Sequence, residues 1–360
     1  IEAYQFIKAT VWRLQDSGFG VILPENLVDP SKGASRLGLQ ISASAPSQQQ
    51  RLGLQSLLNF KWDLSVGGQV LTKAEFDDLI TQGTPLVEIN GQWIELRPQD
   101  VRAAKDFFEK RRGQTKLSVE EALRISTGDS QLIDKLPVVK FDASGKLDDL
   151  ITTMTTGNQS LTPISEPKGF EGQLRPYQAK GVSWLSFLEQ WGLGACLADD
   201  MGLGKTVQLI AFLLYLKQEK ALGGPVLLVC PTSVLSNWQR EVRKFGPELN
   251  ALIYHGDKRP KGSALLTAVK KLDLIITSYT LAQRDLKDLK RVEWRGMVLD
   301  EAQNIKNPTA KQSIAVRDIE SEFRIALTGT PVENKLSELW AIMDFLNPGY
   351  LGPLNFFKRR

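Results

Sequence analysis

The sequence predicts an α/β fold, a doubly wound parallel sheet filling the second half of the chain, preceded by a smaller α+β region. Three observations point there. From residue 192 onward, short apolar runs alternate with helical segments, at 194–198, Val226–Cys230, 252–254, 274–276, 297–299 and 325–327. Runs apolar on both faces belong to strands covered by helices on either side, which is the parallel arrangement. The first run leads through a glycine-bearing loop straight into a helical segment. Finally, 155–172 is rich in Gly, Ser, Thr and Pro and reads as a linker, giving an expected division into domains 1–165 and 166–360.

Taken in chain order, the first half shows short, mixed signals and no repeat of solenoid period. Residues 41–51, biased to Ser, Ala and Gln, read as a mobile loop. Residues 60–66 alternate as a strand, and Gly67-Gly68 breaks it. Thr72-Lys73-Ala74-Glu75 is a capping box opening a helix with Phe76, Leu79 and Ile80 on one face. Asn90-Gly91-Gln92 between two apolar runs is a hairpin signal. Pro98 starts a helix ending at Lys110-Arg111-Arg112-Gly113, with cations where the helix dipole favours them, and Ser118-Val119-Glu120-Glu121 is a second capping box. Trp62 and Trp93 read as core residues.

Composition excludes several classes of function. The 360 residues suit about two domains of ~150 residues each. The 45 Lys and Arg against 41 Asp and Glu leave +4, compatible with a local basic groove but no proof of a polyanionic partner. Two cysteines, Cys196 and Cys230, lie in apolar runs and make no disulfide scaffold, so the chain reads as cytosolic. His255 is the only histidine, which excludes Cys/His zinc sites and chemistry needing two imidazoles, and no Gly-x-Ser-x-Gly elbow accompanies it. No apolar run reaches the ~20 residues of a membrane span, and no signal peptide opens the chain. With no initiator Met, the sequence reads as cut from a longer protein.

In a doubly wound sheet, ligands bind beyond the carboxyl ends of the strands. There the sequence places Asp199-Asp200-Met201-Gly202-Leu203-Gly204-Lys205-Thr206, a phosphate loop. Its glycines let backbone amides approach a polyphosphate, Lys205 reaches the β- and γ-phosphates, and Thr206 offers a hydroxyl to Mg2+. Asp199 stands where the general motif has its first Gly. A third glycine is missing, so a dinucleotide fingerprint fails, and Asn334-Lys335-Leu336-Ser337 lacks the Asp that guanine recognition would want. Asp300-Glu301-Ala302-Gln303 follows another apolar run. Phosphoryl transfer to water needs one acid for the metal and one for the attacking water, so Asp300 is the metal candidate and Glu301 the base.

With Leu174-Arg175-Pro176-Tyr177-Gln178 and Leu327-Thr328-Gly329-Thr330-Pro331, these segments resemble, in order and spacing, the first motor lobe of the Swi/Snf-type ATPases of the superfamily-two helicases. The resemblance covers roughly the second half and implies a RecA-like lobe. It implies that Gln178 reads adenine, with Arg175 and Tyr177 in the same motif. Asp199-Asp200 replaces the more usual Asp-Glu, and Gln303 replaces a His. It also implies that Pro231, Thr232 and Ser233 touch a nucleic-acid backbone, a reading compatible with their capping the helix that follows, and that 328–331 couples nucleotide state to lobe motion. Val229-Cys230-Pro231-Thr232-Ser233, with Asn237-Trp238 downstream, and Thr277-Ser278-Tyr279 match further segments; Thr277 and Ser278, expected on the ligand-bearing edge, join the nucleic-acid candidates. Lys258, Arg259 and Lys261 could add positive charge beside them.

The first half resembles, through Gly67-Gly68 and Asn90-Gly91-Gln92-Trp93, an accessory domain found in bacterial members. The whole then reads as part of an ATP- and Mg2+-dependent translocase on duplex DNA in the bacterial cytoplasm, at the nucleoid. A second RecA-like lobe, carrying a catalytic arginine, is expected beyond Arg359-Arg360. The rivals are a strand-separating helicase on DNA or RNA, and a nucleotide-dependent module docking on RNA polymerase.

Overall fold

Two main sheets organise the residues described by this computed structural model, which are 2–22, 37–46, 53–54, 56–66, 69–81, 83–89, 92–110, 117–126, 132–133, 135–156, 161–330 and 336–358. The chain divides into one unit of 1–49 with 55–155 and another of 50–54 with 156–360. The breaker Gly67-Gly68, the turn pair Asn90-Gly91, the basic run 111–113, Pro331, the 334–335 pair and Arg359-Arg360 lie outside the described residues.

The first unit begins with helices α1 (Glu2–Ala9) and α2 (Val11–Asp16). Its mixed sheet contains β1 (Gly38–Ser44), β2 (Asn59–Val66), β3 (Gln69–Leu71), β6 (Leu132–Ile133) and β7 (Leu136–Ser144), in the order β3-β2-β1-β7-β6, while β4 (Leu86–Ile89) and β5 (Gln92–Glu95) form a hairpin. The expected loop at 41–51 is corrected: residues 41–44 belong to β1, paired antiparallel with β2 and parallel with β7, and 47–51 lie outside the described residues. Leu39, Ile41 and Ala43 turn into the core while Gln40, Ser42 and Ser44 are less buried, so small and polar residues alternate with apolar ones in a central strand.

Helix α3 (Lys73–Thr81) opens as its box predicts, with the Thr72 N–H donating to Glu75 Oε2 at 2.7 Å and the Glu75 N–H to Thr72 Oγ1 at 3.3 Å. Helix α4 (Pro98–Lys110) follows the hairpin. Ser118 and Glu121 repeat the reciprocal box before α5 (Val119–Ser126), and α6 (Lys146–Thr156) ends the unit. Phe76, Leu39, Leu64, Val66 and Ile94 form the core, with half-buried Trp62 packed against it.

The second unit carries six parallel strands: β8 (Ala195–Leu197), β9 (Val226–Cys230), β10 (Ala251–Ile253), β11 (Leu274–Ser278), β12 (Trp294–Asp300) and β13 (Ser321–Leu327). Their order is β10-β11-β9-β12-β13-β8, so the chain enters at one edge and crosses to β9 before doubling back. Strands β9 and β11 are buried throughout, and β12 is buried up to half-buried Asp300 at its carboxyl end. The covering helices are α7 (Pro176–Gln190), α8 (Lys205–Gln218), α9 (Leu235–Phe245), α10 (Ser263–Val269), α11 (Tyr279–Arg284), α12 (Leu286–Leu289), α13 (Lys311–Arg317), α14 (Leu336–Leu346) and α15 (Leu354–Phe357).

Much of the expected linker is fastened to this second unit. The Ile164 N–H donates to Ser183 Oγ at 2.8 Å, the Lys168 N–H to Gln218 Oε1 at 2.8 Å, and the Glu171 N–H to Phe245 O at 2.9 Å. Phe170 stacks on Phe245. These bonds satisfy backbone groups that a free linker would leave to water.

Candidate functional site

Beyond β8 the chain turns through residues 198–204 and enters α8 at Lys205. Gly204 caps that helix at φ +80° and Gly202 sits at φ +85°, left-handed conformations that a side chain would strain. A Cβ on Gly204 would stand 2.5 Å from the Gln178 amide nitrogen, whereas at Gly202 it would meet nothing within 4 Å. The loop therefore packs on one side and opens on the other. Lys205 Nζ rests on the loop's own carbonyls, Asp199 O at 2.7 Å and Asp200 O at 3.2 Å. Asp199, the departure from the usual glycine, accepts from Gln208 Nε2 at 2.7 Å, and fully buried Gln208 thereby ties the loop's start to α8. Met201 at the tip is 80 % exposed.

The first turn of α7 latches the same loop. Gln178 Oε1 accepts from the Arg175 N–H at 2.9 Å, and its Nε2 donates to Leu203 O at 3.1 Å; Tyr177 OH donates to the same carbonyl at 3.0 Å. A carboxamide offers two N–H donors and two lone pairs, so Gln178 retains one of each beyond these two bonds.

Asp300 and Glu301 lie at the carboxyl end of β12. Asp300 Oδ2 accepts from the Trp238 indole N–H at 2.6 Å and Oδ1 from the Glu301 N–H at 3.0 Å. Burial raises the Asp300 carboxyl above its ordinary pKa; the Trp238 donor opposes this, the Glu301 charge adds to it, and the Lys205 ammonium works against it. Glu301 takes φ +49°, costing on the order of 1 kcal/mol for a non-glycine residue. Asn304 Nδ2 holds its carbonyl at 2.7 Å and Gln303 Nε2 holds its Oε2 at 2.7 Å. Gln303 Oε1 in turn accepts from Thr328 Oγ1 at 2.9 Å, and the Thr330 N–H donates to Thr328 Oγ1 at 3.1 Å. The second acid is thus wired to the segment after β13.

The nucleic-acid candidates separate into two groups. Thr232 and Ser233 are exposed in a 3-10 turn, Thr232–Val234, which follows Pro231 and leads into α9 with no side-chain cap. The expected capping role is therefore corrected: the turn itself closes the helix entry. Thr277 and Ser278 are the last residues of β11 and are buried, not presented at the edge. Thr277 Oγ1 donates to Tyr254 O at 3.0 Å, and Ser278 Oγ accepts from the Leu281 N–H at 3.4 Å to cap α11. Their hydroxyls serve the fold.

Arg259 is likewise corrected as a free cation. Its Nε donates to Asp285 Oδ2 at 2.6 Å, Nη2 to Asp285 Oδ1 at 3.1 Å and Nη1 to Gly256 O at 2.6 Å, while Lys258 and Lys261 remain exposed. Burial pushes Asp285 up, but the Arg259 bonds and charge outweigh it and leave the carboxyl below its ordinary value. Both thiols are poor nucleophiles, since burial pushes Cys196 up to about 11 and Cys230 up to about 12.

Sequence reasoning gave no site role to Trp238, Gln208 or Tyr279, whose OH donates to Asp300 O at 2.8 Å. Trp238 falls with Leu235 and Val242 on the buried face of α9; the resemblance marked Asn237-Trp238 as part of a family-like segment, but local pattern gave the ring no role beyond the core. Among the described residues no helix is long and apolar enough to cross a membrane, and no three His, Cys, Asp or Glu side chains group to hold a metal.

The SNF2-related domain family matches residues 177–360, and a family described as SNF2 helicase protein matches 1–127. A Bacillus subtilis relative named as the ATP-dependent helicase/translocase YwqA is 40% identical over all of this chain, which covers 40% of that relative. The Saccharomyces cerevisiae ISWI chromatin-remodeling complex ATPase ISW2 is 42% identical over 54% of this chain and 18% of its own length. The chain thus spans about two fifths or less of these relatives. The Sulfolobus solfataricus SWI2/SNF2 ATPase core in complex with dsDNA superposes with a TM-score of 0.50 at 46% identity, covering 55% of this chain and 40% of that one. The same core domain described without DNA gives 0.51 at 49% identity, covering 56% and 40%. With the phosphate loop, the paired acids and the six-stranded parallel sheet in this order, the chain belongs to the SNF2-related ATPase family.

Proposed function

We propose that residues 166–360 are the ATP-binding lobe of a motor that moves along duplex DNA, and that 1–165 are its accessory domain. The observation that carries this reading is that Lys205, at the start of the helix after β8, and half-buried Asp300, at the carboxyl end of β12, lie close enough for the ammonium to act on the carboxylate, with one strand between β8 and β12. The open face at Gly202 and the acceptor capacity left on Asp300 fit a nucleotide triphosphate with a divalent cation. Gln178 orients the adenine with its remaining donor and acceptor. Lys205 exchanges its two loop carbonyls for phosphate oxygens. Thr206 and Asp300 would hold Mg2+, which supplies neutralisation of the charge on the transferring phosphate.

Glu301 accepts the proton of the attacking water. Gln303 occupies its Oε2, leaving Oε1 for that proton, and Thr328 fixes Gln303 in turn. A second lobe would supply the arginine that stabilises the transferring phosphate. Exposed Thr232 and Ser233, with Pro231, are the backbone grips that remain available, so contact with DNA should be tolerant of sequence. A relative that matches the whole chain is bacterial, and we infer from it that the protein works in a bacterial cytoplasm, at the nucleoid where its duplex substrate lies.

Calorimetric titration of MgATP into the 360-residue chain and its Lys205→Ala variant tests the site. The unmodified chain should bind and the variant should lose at least about tenfold in affinity, because a charge-assisted contact to phosphate is removed. Equal affinities overturn the assignment.

A further inference from the structure

Trp238 lies 62 residues before Asp300 and on a different element, yet among the described residues its indole N–H is one of two donors to that carboxylate. The residue is 1 % exposed, on the buried face of α9 with Leu235 and Val242, so the ring has little room to follow the carboxylate if the latter turns. An indole is a donor only and never competes with a carboxylate for a cation. With Oδ2 tied to a rigid ring and Oδ1 tied to the backbone at Glu301, the carboxylate is fixed in its plane while each oxygen keeps a lone pair.

We propose that Trp238 is a positioning residue of the nucleotide site, setting the orientation in which Asp300 meets a divalent cation. The inference rests on the reading of Asp300 as a metal-holding acid. Partners of this kind, one step behind a metal-holding carboxylate, fix the ligand's direction, and their removal costs about 10- to 100-fold in metal affinity. Trp238 also stands only four residues beyond the Thr232–Val234 turn, on the helix that this turn begins.

The test uses the 360-residue chain and Trp238→Phe, which keeps an aromatic ring and removes the N–H. ATP affinity is measured in EDTA and again with excess Mg2+. The affinity in EDTA should agree within about twofold between the two proteins, and the gain on adding Mg2+ should fall about tenfold or more in the variant. An equal Mg2+ gain in both overturns the role of Trp238 and leaves the site reading standing. No Mg2+ gain in the unmodified chain overturns the site reading and the inference with it.

A second readout holds even where the variant fails to fold. In the 15N-labelled unmodified chain, Mn2+ with ATP should broaden the Trp238 indole resonance. The resonance of Trp294, at the amino end of β12 and ~20 Å along that strand from Asp300, should be broadened far less. Trp294→Phe assigns the control signal. Equal broadening of the two signals with Mn2+ and ATP bound overturns the proposal.

Discussion

The two ends of β12 carry buried charge in opposite ways. At the amino end, Arg295 is 4 % exposed; its Nη2 donates to Glu189 Oε1 at 2.5 Å and to Ala221 O at 2.9 Å, and its Nε to the same carbonyl at 3.0 Å. The guanidinium also lies 5.0 Å over the Phe323 ring. One cation thereby joins β12 to α7, to the turn after α8 and to β13. At the carboxyl end, Asp300 is met among the described residues by two neutral donors, with the Glu301 charge beside it and the Lys205 ammonium opposing the rise that burial imposes on its pKa. Of the Arg295 guanidinium nitrogens, only Nη1 has no hydrogen bond among the described residues, and it faces Glu322 Oε2 at 3.6 Å. A buried charge set against its counter-charge and acceptors holds elements together; one left under-compensated is ready for another cation. The difference is a physical criterion for separating structural charge from chemical charge, and it can be tested at other positions.

The largest effect is expected at the closed end. Removing Arg295 takes the opposing charge from the buried Glu189 carboxylate, so Arg295→Met should lower the unfolding free energy by about 3–5 kcal/mol in urea titrations. The paired change Arg295→Met/Glu189→Leu should recover most of that loss, because an apolar pair of similar size removes both desolvation costs. A loss below about 1 kcal/mol for the single variant would break the comparison.

Arg259 sharpens it, since its sequence context groups it with mobile cations and its contacts group it with Arg295. Arg259→Gln should cost about 2–3 kcal/mol at neutral pH. The sign of the pH dependence follows from Asp285, whose folded pKa is lowered. Its contribution is present above the ordinary aspartate value near 3.9 and is lost as pH falls through the lower folded value. The gap between the two proteins should therefore be largest near neutrality and close in strong acid. A gap that is constant from pH 7 to pH 2 would show that the carboxylate is not what Arg259 stabilises.

The smallest effect belongs to the cations that stay exposed. Lys258→Ala/Lys261→Ala should change stability by no more than about 0.5 kcal/mol. If these lysines lie along the DNA, the slope of log affinity against log salt for duplex binding should fall by about 1–2. An unchanged slope removes them from the DNA path and leaves Thr232 and Ser233 as the grips to examine.

Much of the second unit was legible from local pattern. All six apolar runs are strands, and the phosphate loop and the acid pair stand at strand ends, because periodicity and adjacency are properties of neighbouring residues. The capping boxes at Thr72 and Ser118 were readable for the same reason. The strand at 41–44 was not, since its Ser and Ala are small and polar enough to pass for a loop until two neighbouring strands cover them.

By itself, the sequence determined which chemical groups this protein has and which of them lie next to one another: a lysine behind two glycines, an Asp beside a Glu, hydroxyls after apolar runs. Only the tertiary structure decided which groups are available. It buried Thr277, Ser278 and Arg259 against partners of their own, and fastened residues 162–171 onto the second unit. It also joined Trp238 to Asp300 and Gln303 to Thr328. Availability depends on desolvation and on partners tens of residues away, and both are set by the packed chain, not by the local order of its side chains.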